Sequence, residues 1–287
     1  MYFERKYKLA VWAVSALIAI FILVETFRTG VFVPTKEYMI PLEQRVNNTL
    51  VMSVLIAIIP PAFIEYNNSV WLREVDNNIP RLLRDLTESI RSGLSLFDAL
   101  ELAAEKDYGP ITPHLEQAMV KFRLTSDLEG SLIWLGEELI RPSAKRVVTI
   151  LLEAYETGGR MIEVLETSVD MFTSLAEYKD EKEAQVSPYI LLVYVGNIIF
   201  LGISWSILAQ FLGPLAKASQ DPLVAQSGMV RMLNINYYRS ILFWSAIIEG
   251  LMGGLVAGKI RDNRIGGGLV HSVILLLISI TFFNLIL

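Results

Sequence analysis

Apolar and polar positions alternate along this chain in long blocks. Leu9 to Val24 is uncharged for 16 residues, and Val46 to Ile64 is a second uncharged run. Ile190 to Leu212, Ser240 to Gly258 and Ile265 to Leu287 follow, the fourth interrupted only by Glu249. Runs of this length cross a bilayer as helices, so the pattern predicts about five transmembrane helices. Arg5, Lys6 and Lys8 precede the first run as they would in a secretory leader. Glu25-Thr26-Phe27-Arg28 follows it in place of a small-residue cleavage site, so the run is expected to stay as a span. Pro60-Pro61 is expected near the end of span two, and Gly213-Pro214 is expected to close span three.

Between spans two and three lies a block with helical periodicity. Ile79, Leu82, Leu83, Leu86 and Ile90 recur at helical spacing behind Pro80, read as a first-turn proline, and Gly93 ends the run. Ser95 with Asp98 starts a second helix, Thr112-Pro113 a third and Asp127 a fourth, which Pro142 ends. A fifth runs from about Ser143 to Thr157 and stops at Gly158-Gly159; a sixth, with Ile162, Leu165, Val169 and Phe172 on one face, is expected to continue into span three. The predicted fold is all-α: a polytopic membrane protein carrying a six-helix bundle. The predicted organisation is 1–64 for two spans and an outer loop containing Pro34, 65–187 for the helical domain and 188–287 for three spans.

Charge separates the same blocks. Glu65 to Ser187 holds 13 Lys and Arg against 23 Asp and Glu, a net of −10, which leaves +5 elsewhere to reach −5 for the 287 residues. Five spans place the N-terminus, the domain and the Lys259–Arg264 loop on one side. Arg5, Lys6, Lys8, Lys259, Arg261 and Arg264 cluster against span ends there, which points to the cytoplasm, with the C-terminus external.

Two hairpins resemble each other. At an offset of 65 residues Glu88, Gly93, Leu100 and Glu101 meet Glu153, Gly158, Leu165 and Glu166, while Asp98 and Glu105 meet the acids Glu163 and Asp170. The alternatives are an internal duplication and a chance likeness of two amphipathic hairpins. The six acids Asp98, Glu101, Glu105, Glu163, Glu166 and Asp170 are either a divalent-metal set or solvated helix faces, the second being the expectation. Arg81 with Asp85, and Arg84 with Glu88, have the spacing of intrahelical ion pairs.

Little else carries chemistry. The chain has no cysteine, which excludes disulfides and thiolate metal sites, and His114 and His271 stand alone. Gly253 to Lys259 has the spacing of a phosphate loop, but Ile260 stands where Ser or Thr binds magnesium, and no strand precedes it. Gly250, Gly254 and Gly258 recur every fourth residue inside a span and are expected to pack helix against helix. Glu249 is an acid inside a span, functional or tolerated through Lys259 and Arg231 near helix ends or a wet cleft. With no nucleophile, zinc-protease or nucleotide signature, no enzyme activity and no cofactor are expected.

Ile79-Pro80-Arg81-Leu82-Leu83-Arg84-Asp85-Leu86-Thr87-Glu88-Ser89-Ile90-Arg91-Ser92-Gly93, then Tyr108-Gly109-Pro110, resembles the type II secretion F-domain of inner-membrane platform proteins. Glu153-Ala154 with Gly158-Gly159, Glu183 to Tyr189, and Gly267-Gly268-Leu269-Val270-His271-Ser272 are similar to the archaeal flagellum and adhesion-pilus branch, with Tad-type platforms similar in size. Where the archaeal pattern has Trp-Gly, this chain has Phe122-Arg123-Leu124-Thr125. The resemblance implies a cytoplasmic domain that contacts a hexameric secretion ATPase, spans that gather pilin-like subunits, and a homo-oligomer or a paralogous platform partner. Arg84, Asp85, Glu88, Arg91, Gly93, Glu153, Gly158, Gly159, Glu163 and Leu165 are the expected partner-binding or structural positions. A small transporter or channel using Glu249 is the alternative.

Overall fold

The computed structural model describes residues 2–28, 40–218 and 234–285. Its helices are α1 (Arg5–Arg28), α2 (Gln44–Arg91), α3 (Leu96–Ala104), α4 (Ile111–Thr125), α5 (Leu128–Glu138), α6 (Pro142–Thr157), α7 (Met161–Trp205), α8 (Gly213–Ala218), α9 (Ile235–Asp262) and α10 (Leu269–Leu285). A π-helical stretch, Ser206–Leu212, and a 3₁₀ turn, Gly266–Gly268, complete the described elements. Among the described residues five helical segments are long and apolar enough to cross a membrane: Arg5–Arg28, Gln44–Arg91, Met161–Lys217, Ile235–Asp262 and Gly266–Leu285. The fold is therefore all-α with five spans, as the block pattern requires. Pro34, Arg231 and the last two residues lie outside the described residues.

Helix ends follow local chemistry. Gly93, at φ 100°, closes α2: its N–H donates to Ile90 O at 3.0 Å, and Leu94 N–H donates to Ser89 O at 3.3 Å. These two bonds satisfy carbonyls the last turn leaves orphaned, in a conformation glycine adopts without steric cost. Ser95 Oγ accepts from Asp98 N–H at 3.2 Å and donates to Asp98 Oδ2 at 2.6 Å, opening α3. Asp127 Oδ1 accepts from Gly130 N–H at 2.9 Å, opening α5.

Two expected helix ends are absent. Pro80 does not begin a helix, because α2 runs unbroken for 48 residues through Pro60, Pro61 and Pro80. No glycine separates Ile64 from Ile79, and a single proline removes only one intrahelical donor. Nor do Gly213 and Pro214 end a helix. Gly213 N–H donates to Leu208 O, a π-type bond, and Pro214 then sits in the first turn of α8, where its missing N–H has no intrahelical role.

The chain forms two compact units: Met1–Tyr2 with Asn67–Ala184, and Phe3–Tyr66 with Gln185–Leu287. The first contains the end of α2, all of α3 to α6 and the start of α7. Its core is apolar and closed: Leu83, Leu86, Leu100, Tyr108, Ile111, Leu115, Leu132, Ala154 and Leu165 have no measurable exposure.

In the second unit, α9 and α10 form an antiparallel hairpin. A Cβ on Gly250 would lie 3.3 Å from Leu275 Cβ, and one on Gly254 or Gly258 would collide with the backbone of Ser272 or Gly268. Lipid supplies no hydrophobic drive between helices, so close backbone approach and hydrogen bonds must hold them. Ser272 Oγ donates to Leu251 O at 2.8 Å across this seam, and Phe243 meets Phe283 edge-to-face at 5.4 Å. Asn47 ties α2 to α9: its Nδ2 donates to Ser240 Oγ at 3.1 Å and its Oδ1 accepts from Trp244 Nε1 at 2.9 Å.

Gly254→Leu and Gly258→Leu are expected to lower the thermal midpoint of the full chain in detergent sharply, since overpacking costs about 1–3 kcal/mol or more where backbone must move. Gly196→Ala and Gly202→Ala, with nothing within 4 Å of the added carbon, should leave it nearly unchanged. Equal loss in both pairs would refute the close-packing account.

Candidate functional site

The first unit carries two networks centred on carboxylates of α2. Asp76, whose side chain is 7% exposed, accepts from Arg141 Nε at 3.1 Å and from Lys179 Nζ at 3.0 Å. A second Arg141 nitrogen and Ser143 Oγ also bond to it. Arg141 precedes α6 and Lys179 belongs to α7, so one carboxylate fastens three helices. A planar guanidinium fits a carboxylate at two points, which fixes direction as well as charge.

Asp85 holds the second network. Its Oδ2 accepts from Tyr108 Oη at 2.6 Å and from Lys106 Nζ at 3.1 Å. Arg81 does not form the expected ion pair with it; its guanidinium lies over the Tyr108 ring, 5.5 Å from the centroid, where the ring quadrupole attracts a cation. Tyr108 N–H donates to Thr112 Oγ1 at 2.7 Å, so the α3–α4 turn is locked beneath Asp85.

Both carboxyls titrate below the usual carboxylate range. For Asp76 burial alone pushes upward, but the hydrogen bonds from Arg141, Ser143 and Lys179 and the Arg141 charge outweigh it. For Asp85 burial again pushes upward and is outweighed by the bonds from Tyr108 and Lys106 and by the charges of Lys106 and Arg81. Burial and the Asp85 charge push the Tyr108 hydroxyl well above its ordinary value, so it stays a donor throughout the physiological range. His114 is lowered by burial against the opposing charge of Glu138, and its ring meets Trp71 edge-on at 6.1 Å.

The two glycine-stopped hairpins come together. Arg91, at the end of α2, pairs with Glu166 of α7, and Gly93 and Gly158 both take positive φ. Leu165 is fully buried and belongs to the core; Arg84, Glu88, Glu153, Gly158, Gly159 and Glu163 are exposed. Arg84 and Glu88 do not pair with each other. Glu101 accepts from Arg123 Nε at 2.7 Å, Asp98 belongs to the Ser95 cap, and Glu166 is held by Arg91. Among the described residues no three His, Asp or Glu side chains are placed to hold a metal ion.

Within the spans, Tyr194 Oη and His271 Nδ1 share a hydrogen bond of 2.7 Å. Glu249 Oε2 is buried with no hydrogen-bond partner among the described residues, as are both side-chain polar atoms of Asn197. Lys259 does not reach Glu249; its Nζ donates to Asn263 O at 3.0 Å.

The polar groups described above fasten helices to one another. Residues 82–209 match the family model Type II secretion system (T2SS), protein F. That stretch is a type II secretion F domain. It begins at Leu82 in α2 and ends within the π-helical stretch, covering somewhat under half of the chain. Proteins of this family are structural membrane platforms rather than enzymes, and work in the membrane with an ATPase and pilin-like subunits. The chain is also 25% identical over 239 residues to an uncharacterized protein of Methanocaldococcus jannaschii, an alignment covering 82% of this chain and 38% of that relative. No solved structure matches.

The F domain contains Asp85, Lys106, Tyr108, Arg141, Ser143 and Lys179, while Asp76 lies just before it. Asp76 was invisible to sequence reasoning because its partners are 65 and 103 residues away; only Arg141-Pro142-Ser143 at a helix start marked the place.

Asp76→Asn is expected to destabilise the full chain by about 2–4 kcal/mol, because Arg141 and Lys179 lose their counter-charge at a nearly closed site. A folded carboxyl with a lowered pKa gives stability that is present above the unfolded value near ~3.9 and lost as pH falls through the folded one. The thermal midpoint should therefore hold from pH 7 to about 5 and fall below about 4, with Asp76→Asn and Asp85→Asn reducing that acid slope. An unchanged slope in both variants would remove the two networks as its cause.

Proposed function

We propose that this chain is the integral membrane platform of a type IV pilus-like or type II secretion-like machine. Its helical unit couples a cytoplasmic hexameric secretion ATPase to assembly or retraction of pilin-like subunits, which the spans gather. The observation that carries this reading is the placement of the F domain: its compact helical unit is inserted between span two and span three of a five-span chain.

Ion pairs tie helices of the unit to one another: Arg91 with Glu166, Arg123 with Glu101, Arg73 with Glu183 and Arg141 with Asp76. Such ties stiffen a body that receives force. The exposed Gly93 and Gly158 turns, with Arg84, Glu88, Glu153, Gly159 and Glu163 near them, are the contact surface of this reading. The N-terminus and the helical unit face the cytoplasm and the C-terminus faces outward. The platform works as a homo-oligomer or beside a paralogous platform protein.

A second reading, a small transporter or channel, rests on the unpartnered Glu249 Oε2 inside α9. The two separate cleanly. Full-length chain in detergent should capture a hexameric secretion ATPase from the same organism, and Arg84→Glu with Glu153→Arg should weaken that capture at least ten-fold with the thermal midpoint retained. Glu249→Gln should leave capture unchanged. Capture indifferent to the double charge reversal would reject the contact surface, and loss of proton-dependent flux in vesicles on Glu249→Gln would favour the transporter.

A further inference from the structure

The second unit gathers cations at one end of its helices. Arg5, Lys6 and Lys8 open α1, Glu65 follows the apolar part of α2, and Lys259, Arg261 and Arg264 surround the turn from α9 to α10. Two contacts bring these ends together. Lys8 Nζ donates to Glu65 Oε1 at 3.0 Å, and Gly266 faces the same side chain, with its would-be Cβ 3.3 Å from Glu65 Cδ. Arg5 lies three residues before Lys8, and Arg264 two residues before Gly266, so both belong to the chain ends that meet at Glu65.

The charges there do not balance. Six cations face three acids, Glu4, Glu65 and Asp262, a net of +3. Glu65 is already taken by Lys8. Asp262 turns back on its own loop, where a Cβ on Gly267 would strike its Oδ2. Lys259 donates to Asn263 O. Arg5, Lys6 and Arg264 are exposed, and among the described residues none has a carboxylate within 4.0 Å.

Unpaired cations at the ends of membrane helices meet one abundant ligand of complementary chemistry, the phosphate of an anionic phospholipid. We infer that Arg5, Lys6 and Arg264, set around the Lys8–Glu65 pair, bind the headgroup of an anionic phospholipid and so join α1 to the α9–α10 turn through lipid. Position supports a lipid source over free phosphate: all three residues sit where apolar helix gives way to polar chain, so acyl chains can lie along the exposed face of α1, which carries Leu9, Trp12 and Leu17. α1 needs such a tie. Within it only Ser15 and Ala19 are buried, so protein contacts hold it weakly. The inference is independent of the ATPase reading.

The test uses full-length chain in neutral detergent, offered phosphatidylglycerol or phosphatidylcholine and measured by native mass spectrometry for retained lipid. Phosphatidylglycerol should be retained in clear excess, and Arg5→Gln, Lys6→Gln and Arg264→Gln should each reduce the excess by about five-fold, as expected for one surface cation. Lys145→Gln with Arg146→Gln, exposed on the other unit, should leave it unchanged, and all variants should keep the wild-type thermal midpoint in phosphatidylcholine. Equal retention of the two lipids, or an excess that survives the triple variant, would overturn the site. Displacement of the lipid by millimolar inorganic phosphate would overturn the lipid as its ligand.

Discussion

The whole molecule depends on one constraint: apolar lipid offers no hydrogen-bond partner to a peptide group. Each span must satisfy its backbone within itself, so each is a helix, and unsatisfied groups are removed by continuing helix wherever the chain permits. The prolines at 60 and 61 are absorbed into α2 under this pressure, as Pro188 is into α7. The π-helical stretch at Ser206–Leu212 is the same response to a local excess of one residue per turn. Once the spans are helices, they have little hydrophobic reason to associate, so contact falls to glycine seams and a few polar ties. Gly254 against Ser272, and Asn47 between Ser240 and Trp244, are those contacts.

In the unit of Asn67–Ala184 water restores the hydrophobic drive, and a different logic holds. A continuous apolar core forms from α2 to α7, and charge moves to its margin. Asp76 and Asp85 are the exceptions that organise that margin. Each is bound by at least two donors from other elements, so each converts a desolvation cost into a fixed helix register. Removing one partner would leave the other charge exposed to a poorly solvating surface, which makes these networks all-or-none.

Local signals were legible in sequence wherever the deciding chemistry is local. Ser95 and Asp127 cap helices a few residues away, and Gly93 and Gly158 close them, so α3, α5 and the ends of α2 and α6 follow from short windows. The apolar runs revealed five spans for the same reason. What failed was long in range or a matter of degree. Pro80 reads as a helix start in a window of ten residues, yet its true context is 48 residues of helix. Arg81 and Asp85 have ideal spacing, but Tyr108 and Lys106, arriving from the next turn of chain, outcompete that pair. Asp76 had no local signature at all, since Arg141 and Lys179 reach it only after the bundle has closed.

The same division explains why function is harder to read here than fold. Catalytic groups announce themselves through residue types whose spacing is set by the reaction. A coupling protein transmits force through contacts, and any residue of suitable size and charge serves. In this chain the strongest internal interactions, at Asp76 and Asp85, hold the unit together and so speak to stability. On the proposed reading a partner would meet the exposed turns at Gly93 and Gly158. The features easiest to see are therefore structural, and the functional ones are defined by what they leave unpaired. Glu249 and Asn197 keep buried polar atoms without a partner among the described residues, and it is at such groups, rather than at the satisfied networks, that binding free energy remains available.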